Sequence, residues 1–288
     1  MTMQGKIVMV TGANSGIGYA TVEGLAAQGA TLILHARSKE KGEKAREDIA
    51  RKTGNTNIHL MLADLSSIEQ LKELADQVKA KFDHLDVLIN NAALVPTRRT
   101  LTKDGLEAQF AINHLSYFIL GNLLLPHLEA SGAGRMINVS SNLHAVGKVD
   151  FENLQAEKRY EFYPVGGPGW GQYSNTKLMN ILFTKEMARR LGEDAKVTVN
   201  AVHPGLIGTN LSRAMPKFIH RIYLSMVAKP EKGAETSIYL ATSPDVAKIT
   251  GQYFTNKQIA ESSPASHQIE VALRLWEVSA KLAGISTR

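Results

Sequence analysis

A tyrosine and a lysine stand four positions apart in "GQYSNTKLMN" (171–180). Leu178, Ile181, Leu182 and Met187 follow at close to helical spacing, so Tyr173 and Lys177 lie one turn apart on a common helical face. A free phenol has a pKa of about 10 and is a poor proton relay at neutral pH unless a nearby cation favours the phenolate. Lys177 supplies that cation. The pair can then protonate a carbonyl oxygen as hydride reaches its carbon, or accept the proton of an alcohol in reverse. In "INVSSNLH" (137–144), the Ser141 hydroxyl can hydrogen-bond the same oxygen and fix its position. Tyr and Lys at this spacing are also an ordinary surface or packing pair, so the chemistry requires a site built around them.

Such a site begins at "TGANSGIG" (11–18), where a short apolar run turns into a helical pattern. Gly12 permits a tight turn, while Gly16 and Gly18 remove side chains where backbone must approach a pyrophosphate at a helix N-terminus. The spacing differs from the common G-x-G-x-x-G fingerprint, and a structural turn alone would also explain the glycines. About 20 residues on, where an acid would hold a ribose 2′-hydroxyl, the chain has "HARSKEK" (35–41). Arg37 can stack on adenine and grip a 2′-phosphate with its planar fork, which favours NADP (NADPH) over NAD. A solvent-facing arginine at a basic helix start is the plain alternative. Asp64 in "ADLSS" suits an adenine amino group, and Asn90 in "NNAA" (90–93) suits a brace between strand ends.

The elements that would carry these residues alternate. "KIVMVT" (6–11), "ATLILH" (30–35), "IHLMLA" (58–63), "DVLIN" (86–90), "RMINVS" (135–140), "VTVNAVH" (197–203) and "GQYFT" (251–255) read as buried strands. Helical patterns fall between the first four, at "GYATVEGLAAQG", "KGEKAREDIARK" and "SIEQLKELADQVKAKF". This predicts α/β architecture: a single doubly wound Rossmann-type domain over 1–288, with an about seven-stranded, mostly parallel sheet flanked by helices. The chemistry-bearing residues then gather at the carboxyl ends of successive strands, the edge where open α/β sheets bind ligands.

"TGANSGIG", "DL" (64–65), "NNAA", "INH" (112–114), "VSS", "YSNTK" and "HPGLIGTNL" occur in the order of the short-chain dehydrogenase/reductase family and cover nearly the whole chain. The chain resembles that family, and most closely its retinol-dehydrogenase-like branch. The resemblance implies a catalytic set of Asn113, Ser141, Tyr173 and Lys177, with Asn113 completing a water-linked relay through Lys177. It further implies that Lys177 holds the nicotinamide ribose and that Thr209 and the Ile207 backbone hold the carboxamide. The cofactor set carried over on these motifs is Gly12, Asn14, Ser15, Gly16, Ile17, Gly18, Arg37, Asp64, Leu65, Asn91, Ala92, Tyr173, Lys177, Pro204, Gly205, Ile207 and Thr209. Ala93 departs from the pattern, which usually has glycine there.

Met215, Phe218, Ile219, Ile222, Tyr223, Met226 and Val227 make "LSRAMPKFIHRIYLSMVAKP" (211–230) an amphipathic helix. It reads as a substrate lid over an apolar pocket, as a core-packing or dimer helix, or as a membrane contact, in that order. "FYPVGGPGWG" (162–171), rich in glycine and proline, reads as a loop without regular structure, with Trp170 touching substrate or anchoring the core.

Composition narrows the alternatives. The absence of cysteine removes disulfide and thiolate chemistry and favours a reducing compartment. A net charge of +6 favours anionic ligands, but no Lys/Arg block interleaved with aromatics points to nucleic acid. The longest apolar region, "YFILGNLLLPHL" (117–128), is too short for an integral membrane segment, and the N-terminus is unlike a signal peptide, so a cytoplasmic location is expected. The nine histidines form no close pair at metal-ligand spacing, so no metal is expected. The expected activity is an NADP(H)-dependent carbonyl reductase or alcohol dehydrogenase on a lipophilic aldehyde, ketone or alcohol, in a homodimer or homotetramer by analogy. A dinucleotide-binding sensor or scaffold is the non-catalytic alternative, and a nucleotide-sugar epimerase or dehydratase the enzymatic one.

Overall fold

The computed structural model describes residues 2–158, 160, 162–163, 167–205 and 229–287. One eight-stranded sheet runs through the α/β domain in the order β10-β9-β8-β5-β4-β1-β2-β3. Its strands are β1 (Ile7–Val10), β2 (Thr31–Ala36), β3 (Ile58–Leu62), β4 (Val87–Asn90), β5 (Gly134–Val139), β8 (Val197–His203), β9 (Tyr253–Thr255) and β10 (Gln258–Ala260). All neighbours pair in parallel except β9 and β10, which form an antiparallel hairpin. All seven expected strands are present, and the hairpin's return strand adds an eighth at the edge. Its turn residues Asn256 and Lys257 both take positive φ, at 49° and 64°, as a tight two-residue hairpin demands.

The central strands β1 and β4 are almost wholly apolar because both faces are covered. Val8 and Val10 of β1 join one core, packed with α1 (Gly16–Ala26), α2 (Lys39–Thr53) and α7 (Pro230–Thr242). Met9, between them, points into the other core, packed with α3 (Ile68–Lys81), α4 (Ser116–Leu123), α6 (Trp170–Leu191) and α8 (Ile269–Ala283). This is the two-sided burial that removes the polar alternation of a half-exposed strand. The helix starts are written locally: Ser38 and Ser67 cap α2 and α3 through their side chains, accepting from Lys41 N and Gln70 N. A short α5 (Leu125–Ala130) leads into β5. Trp276 of α8 sits edge-on to Phe118 of α4 at 5.0 Å and 5.9 Å from Phe183 of α6, locking together the two helices that border the site.

The stretch expected to lack regular structure contains a small hairpin, β6 (Phe162–Tyr163) with β7 (Gly167–Pro168), and ends in α6, which already begins at Trp170. Gly169 makes this possible. It caps α6 with φ 86°, and a Cβ there would lie 2.3 Å from Pro96 O, so only glycine fits. The amphipathic stretch 211–230 lies outside the described residues except for its last two positions, as do Ile207 and Thr209. No helix among the described residues is long and apolar enough to cross a membrane.

Candidate active site

The chain leaves β1 toward β2 and β3 and then returns to β4 on the other side of β1, so a crevice opens between the carboxyl ends of β1 and β4. Thr11 bridges it. Its hydroxyl oxygen accepts from Asn91 N at 2.8 Å and Ala92 N at 3.1 Å, and its carbonyl accepts from Asn91 Nδ2 at 2.8 Å. Gly12 takes φ 65°, and a Cβ on Gly18 would lie 2.5 Å from both Gly12 O and Asn91 Nδ2. The glycines are therefore required by how closely turn, helix and β4 loop pack.

His35, which the sequence did not single out, holds this turn from below. Gly12 N donates to His35 Nδ1 at 3.1 Å, which fixes the ring proton on Nε2, and that nitrogen donates to Ala63 O at 3.1 Å. One neutral imidazole thus ties β1's turn to the end of β3. Burial holds its pKa down at about 4, consistent with the neutral form.

At the other end of the site, α6 is fastened to β5 through Lys177. Its Nζ donates to Val139 O at 2.8 Å, and its own carbonyl accepts from Ser140 Oγ at 2.7 Å. Lys177 is 1% exposed and its Nζ lies 5.4 Å from the ring centroids of both Tyr173 and Tyr117. Burial pulls the ammonium down to about 7. Tyr173 and Ser141 keep 7% and 8% exposure, whereas Ser140 is spent on Lys177 and on the β8 ladder through Val202 O. Of the adjacent serines, then, the second is the one not tied to Lys177; its hydroxyl donates to Asn142 Oδ1 at 3.3 Å. Ser141 Oγ accepts from Leu143 N, and His144 fixes the Ser141 backbone by donating from Nδ1 to its carbonyl at 2.6 Å while Nε2 accepts from Ser263 N at 3.0 Å.

Asn113 lies on a π-helical turn (Phe110–Leu115) leading into α4. Its side chain is fully engaged: Oδ1 accepts from Leu94 N, and Nδ2 donates to Leu94 O and to Thr176 Oγ1. It joins the loop after β4 to α6. Asn90 braces strand ends, donating from Nδ2 to Asn138 Oδ1 of β5 at 2.9 Å.

This arrangement carries a family signature along the chain. The short chain dehydrogenase family model matches residues 6–158, and a second model, described as Enoyl-(Acyl carrier protein) reductase, matches 163–256. The chain belongs to the short-chain dehydrogenase family. It is 39% identical to retinol dehydrogenase 13 of Homo sapiens, across 99% of this chain and 86% of that protein. It is 37% identical to retinol dehydrogenase 11 of Mus musculus, across 98% and 88%. Among solved structures, an uncharacterized protein from Mycobacterium paratuberculosis superposes with a TM-score of 0.80 at 30% identity, covering 100% of this chain and 96% of that one.

A short-chain dehydrogenase is an oxidoreductase that uses a nicotinamide dinucleotide, and the β1–α1 turn fits such a group. Unlike Ser38 and Ser67, the Ser15 side chain does not cap its helix, and the first turn of α1 has no acidic residue. The α1 N-terminus thus presents N–H groups and its positive dipole end toward the crevice, as a pyrophosphate requires. Asn14, Ser15, Gly16 and Ile17 are open or half-open along it, and Asn91 and Ala92 face it from β4. Arg37 is exposed just past β2. Asp64 is half-buried at the end of β3, with Oδ1 taken by Ser66, and Leu65 turns into the core. Pro204 and Gly205 follow β8 at the same edge, half-buried.

Three of the buried histidines among the described residues give the protein an acid limit. His35, His114 and His203 are all held near pH 4 by burial, against about 6.5 in an unfolded chain. The unfolded state therefore binds these protons first, and the stability that the neutral rings contribute is intact above pH 6.5 and lost as pH falls toward 4. Thermal denaturation followed from pH 7.5 to 4.5 should show the midpoint falling by on the order of 10 °C, most of it below pH 6.5. A flat profile would contradict the buried neutral assignment.

Proposed function

We propose that this short-chain dehydrogenase is an NADP(H)-dependent oxidoreductase that interconverts a lipophilic aldehyde or ketone with its alcohol, with Tyr173 as the acid and base. The observation that carries this reading is the Lys177 ammonium, buried 5.4 Å from the Tyr173 ring and pinned to Val139 O at the carboxyl end of β5. When bound, the dinucleotide supplies the hydride to the carbonyl carbon, or takes it from the alcohol carbon. In reduction, the Tyr173 hydroxyl gives its proton to the substrate oxygen and the nearby lysine charge stabilises the phenolate left behind. The Ser141 hydroxyl donates to the same oxygen, orienting it before transfer. In oxidation the same atoms run in reverse.

For the 2′-phosphate, the supporting feature is the exposed Arg37 guanidinium at the end of β2, with no carboxylate in 35–39 to repel the anion. For a lipophilic substrate, the support is the likeness to proteins named as retinol dehydrogenases and the apolar pattern of 211–230. Phosphate recognition and acid catalysis are separable by experiment. NADPH should raise the melting temperature more than NADH at equal concentration, and Tyr173→Phe should keep that shift while losing at least about 100-fold in kcat/KM on a long-chain aldehyde. A Tyr173→Phe enzyme as active as wild type would overturn the catalytic assignment, and a larger shift with NADH would overturn the cofactor preference.

A further inference from the structure

We propose that Tyr117 is a positioning residue for the proton-transfer pair: its ring gives the Lys177 ammonium a second aromatic face, and its hydroxyl couples that lysine to the dinucleotide turn. The inference rests on the reading of Tyr173 and Lys177 given above. Tyr117 is fully buried in α4, four residues beyond Asn113. Lys177 Nζ stands over its ring, 5.4 Å from the centroid and as close as to Tyr173. At that distance a ring face attracts a cation, and desolvation strengthens the attraction. The Tyr117 hydroxyl donates to Ala92 O at 3.0 Å, and Ala92 N donates to Thr11 Oγ1 beside Gly12. A continuous path thus runs from the cofactor turn through Thr11, Ala92 and Tyr117 to the ammonium.

The ring matters because the ammonium meets no counter-ion among the described residues. Among the described residues, no carboxylate pairs with Lys177, and its hydrogen-bond acceptor is a single carbonyl. Among the described side chains, the other titratable groups on elements packed against α6 are Arg135 of β5, Tyr253 of β9, His114, His144, His203 and His267, and Glu270, Arg274, Glu277 and Lys281 of α8. None makes a hydrogen bond or ion pair with Lys177, and the charged groups of α6 itself resume two turns on at Lys185. Two ring faces and Val139 O are what oppose the cost of burying this charge.

Fluorination tests the ring without changing its shape. Residue 117 is replaced by Phe, then by 4-fluoro- and 3,4,5-trifluorophenylalanine, and two quantities are read. These are the Lys177 titration, from its ¹³Cε resonance in dinucleotide-free protein, and the pH profile of kcat/KM. Tyr117→Phe should leave the Lys177 titration in place but raise KM for NADPH several-fold. Each step of fluorination should lower the titration, by about half a unit or more at three fluorines, with the alkaline limb of kcat/KM moving alongside. A titration unmoved across the series would overturn the ring's role, and an unchanged KM in Tyr117→Phe would overturn the hydroxyl's. Should Tyr173→Phe prove fully active, the catalytic reading falls, while the Lys177 titration still decides the role of Tyr117.

Discussion

A lysine ammonium buried without a counter-ion among the described residues is the constraint around which the site is arranged. Lys177 is among the largest fully buried side chains of the protein, and burial alone brings its pKa to about 7. A stably folded chain would replace such a group with an apolar one unless the charge had a use, since burying an unpaired cation costs several kcal/mol. Its neighbours are consistent with retention for function. Val139 O, Ser140 Oγ and the rings of Tyr117 and Tyr173 fix its two ends.

The rest of the fold supplies rigid walls for that charge. Two apolar cores, one on each face of the sheet, hold β1, β4 and β5 side by side, so that Thr11, Asn90 and Ser140 act at adjacent strand ends. Polar bonds then couple strand to strand and strand to helix: Thr11 to Asn91 and Ala92, Asn90 to Asn138, Asn138 to Thr184 of α6 at 3.0 Å. The bonds of Asn138 to Asn90 and Thr184 are buried, where a satisfied bond is strong and a broken one is costly. His35 does the same for the glycine turn. The glycine turn after β1 and helix α6 are consequently two ends of one network.

Much of this was legible in the sequence because the signals are local. Buried strands such as "IVMV" and "VLIN" and the serine caps of α2 and α3 announce themselves within a few residues, and Tyr173 and Lys177 share a helix face by spacing alone. The eighth strand was missed because three residues, Gln258–Ala260, carry no periodicity, and their hairpin turn uses Asn-Lys instead of a glycine pair. The loop before Tyr173 was read as irregular because its glycines and prolines weigh against structure, yet Gly169 is the residue that allows α6 to start against Pro96. Tyr117, His35, Ser140 and His144 carried no signal at all. Their roles depend on contacts with segments 23 to 119 positions away, which spacing cannot express.

The central claim is that the fold holds Lys177 at an energetic cost, and stability as a function of pH tests it directly. A lysine at about 7 in the folded state and about 10.4 unfolded destabilises most at and below pH 7, and the penalty fades as pH rises toward 10. Lys177→Met removes the charge, while Asn180 Nδ2, 3.4 Å from Val139 O, remains to satisfy that carbonyl. Thermal denaturation of both proteins between pH 6 and 10 should find the methionine variant more stable by several degrees at pH 6, with wild type closing the gap as pH rises. A variant less stable than wild type at pH 6, or a gap that does not change with pH, would contradict the account.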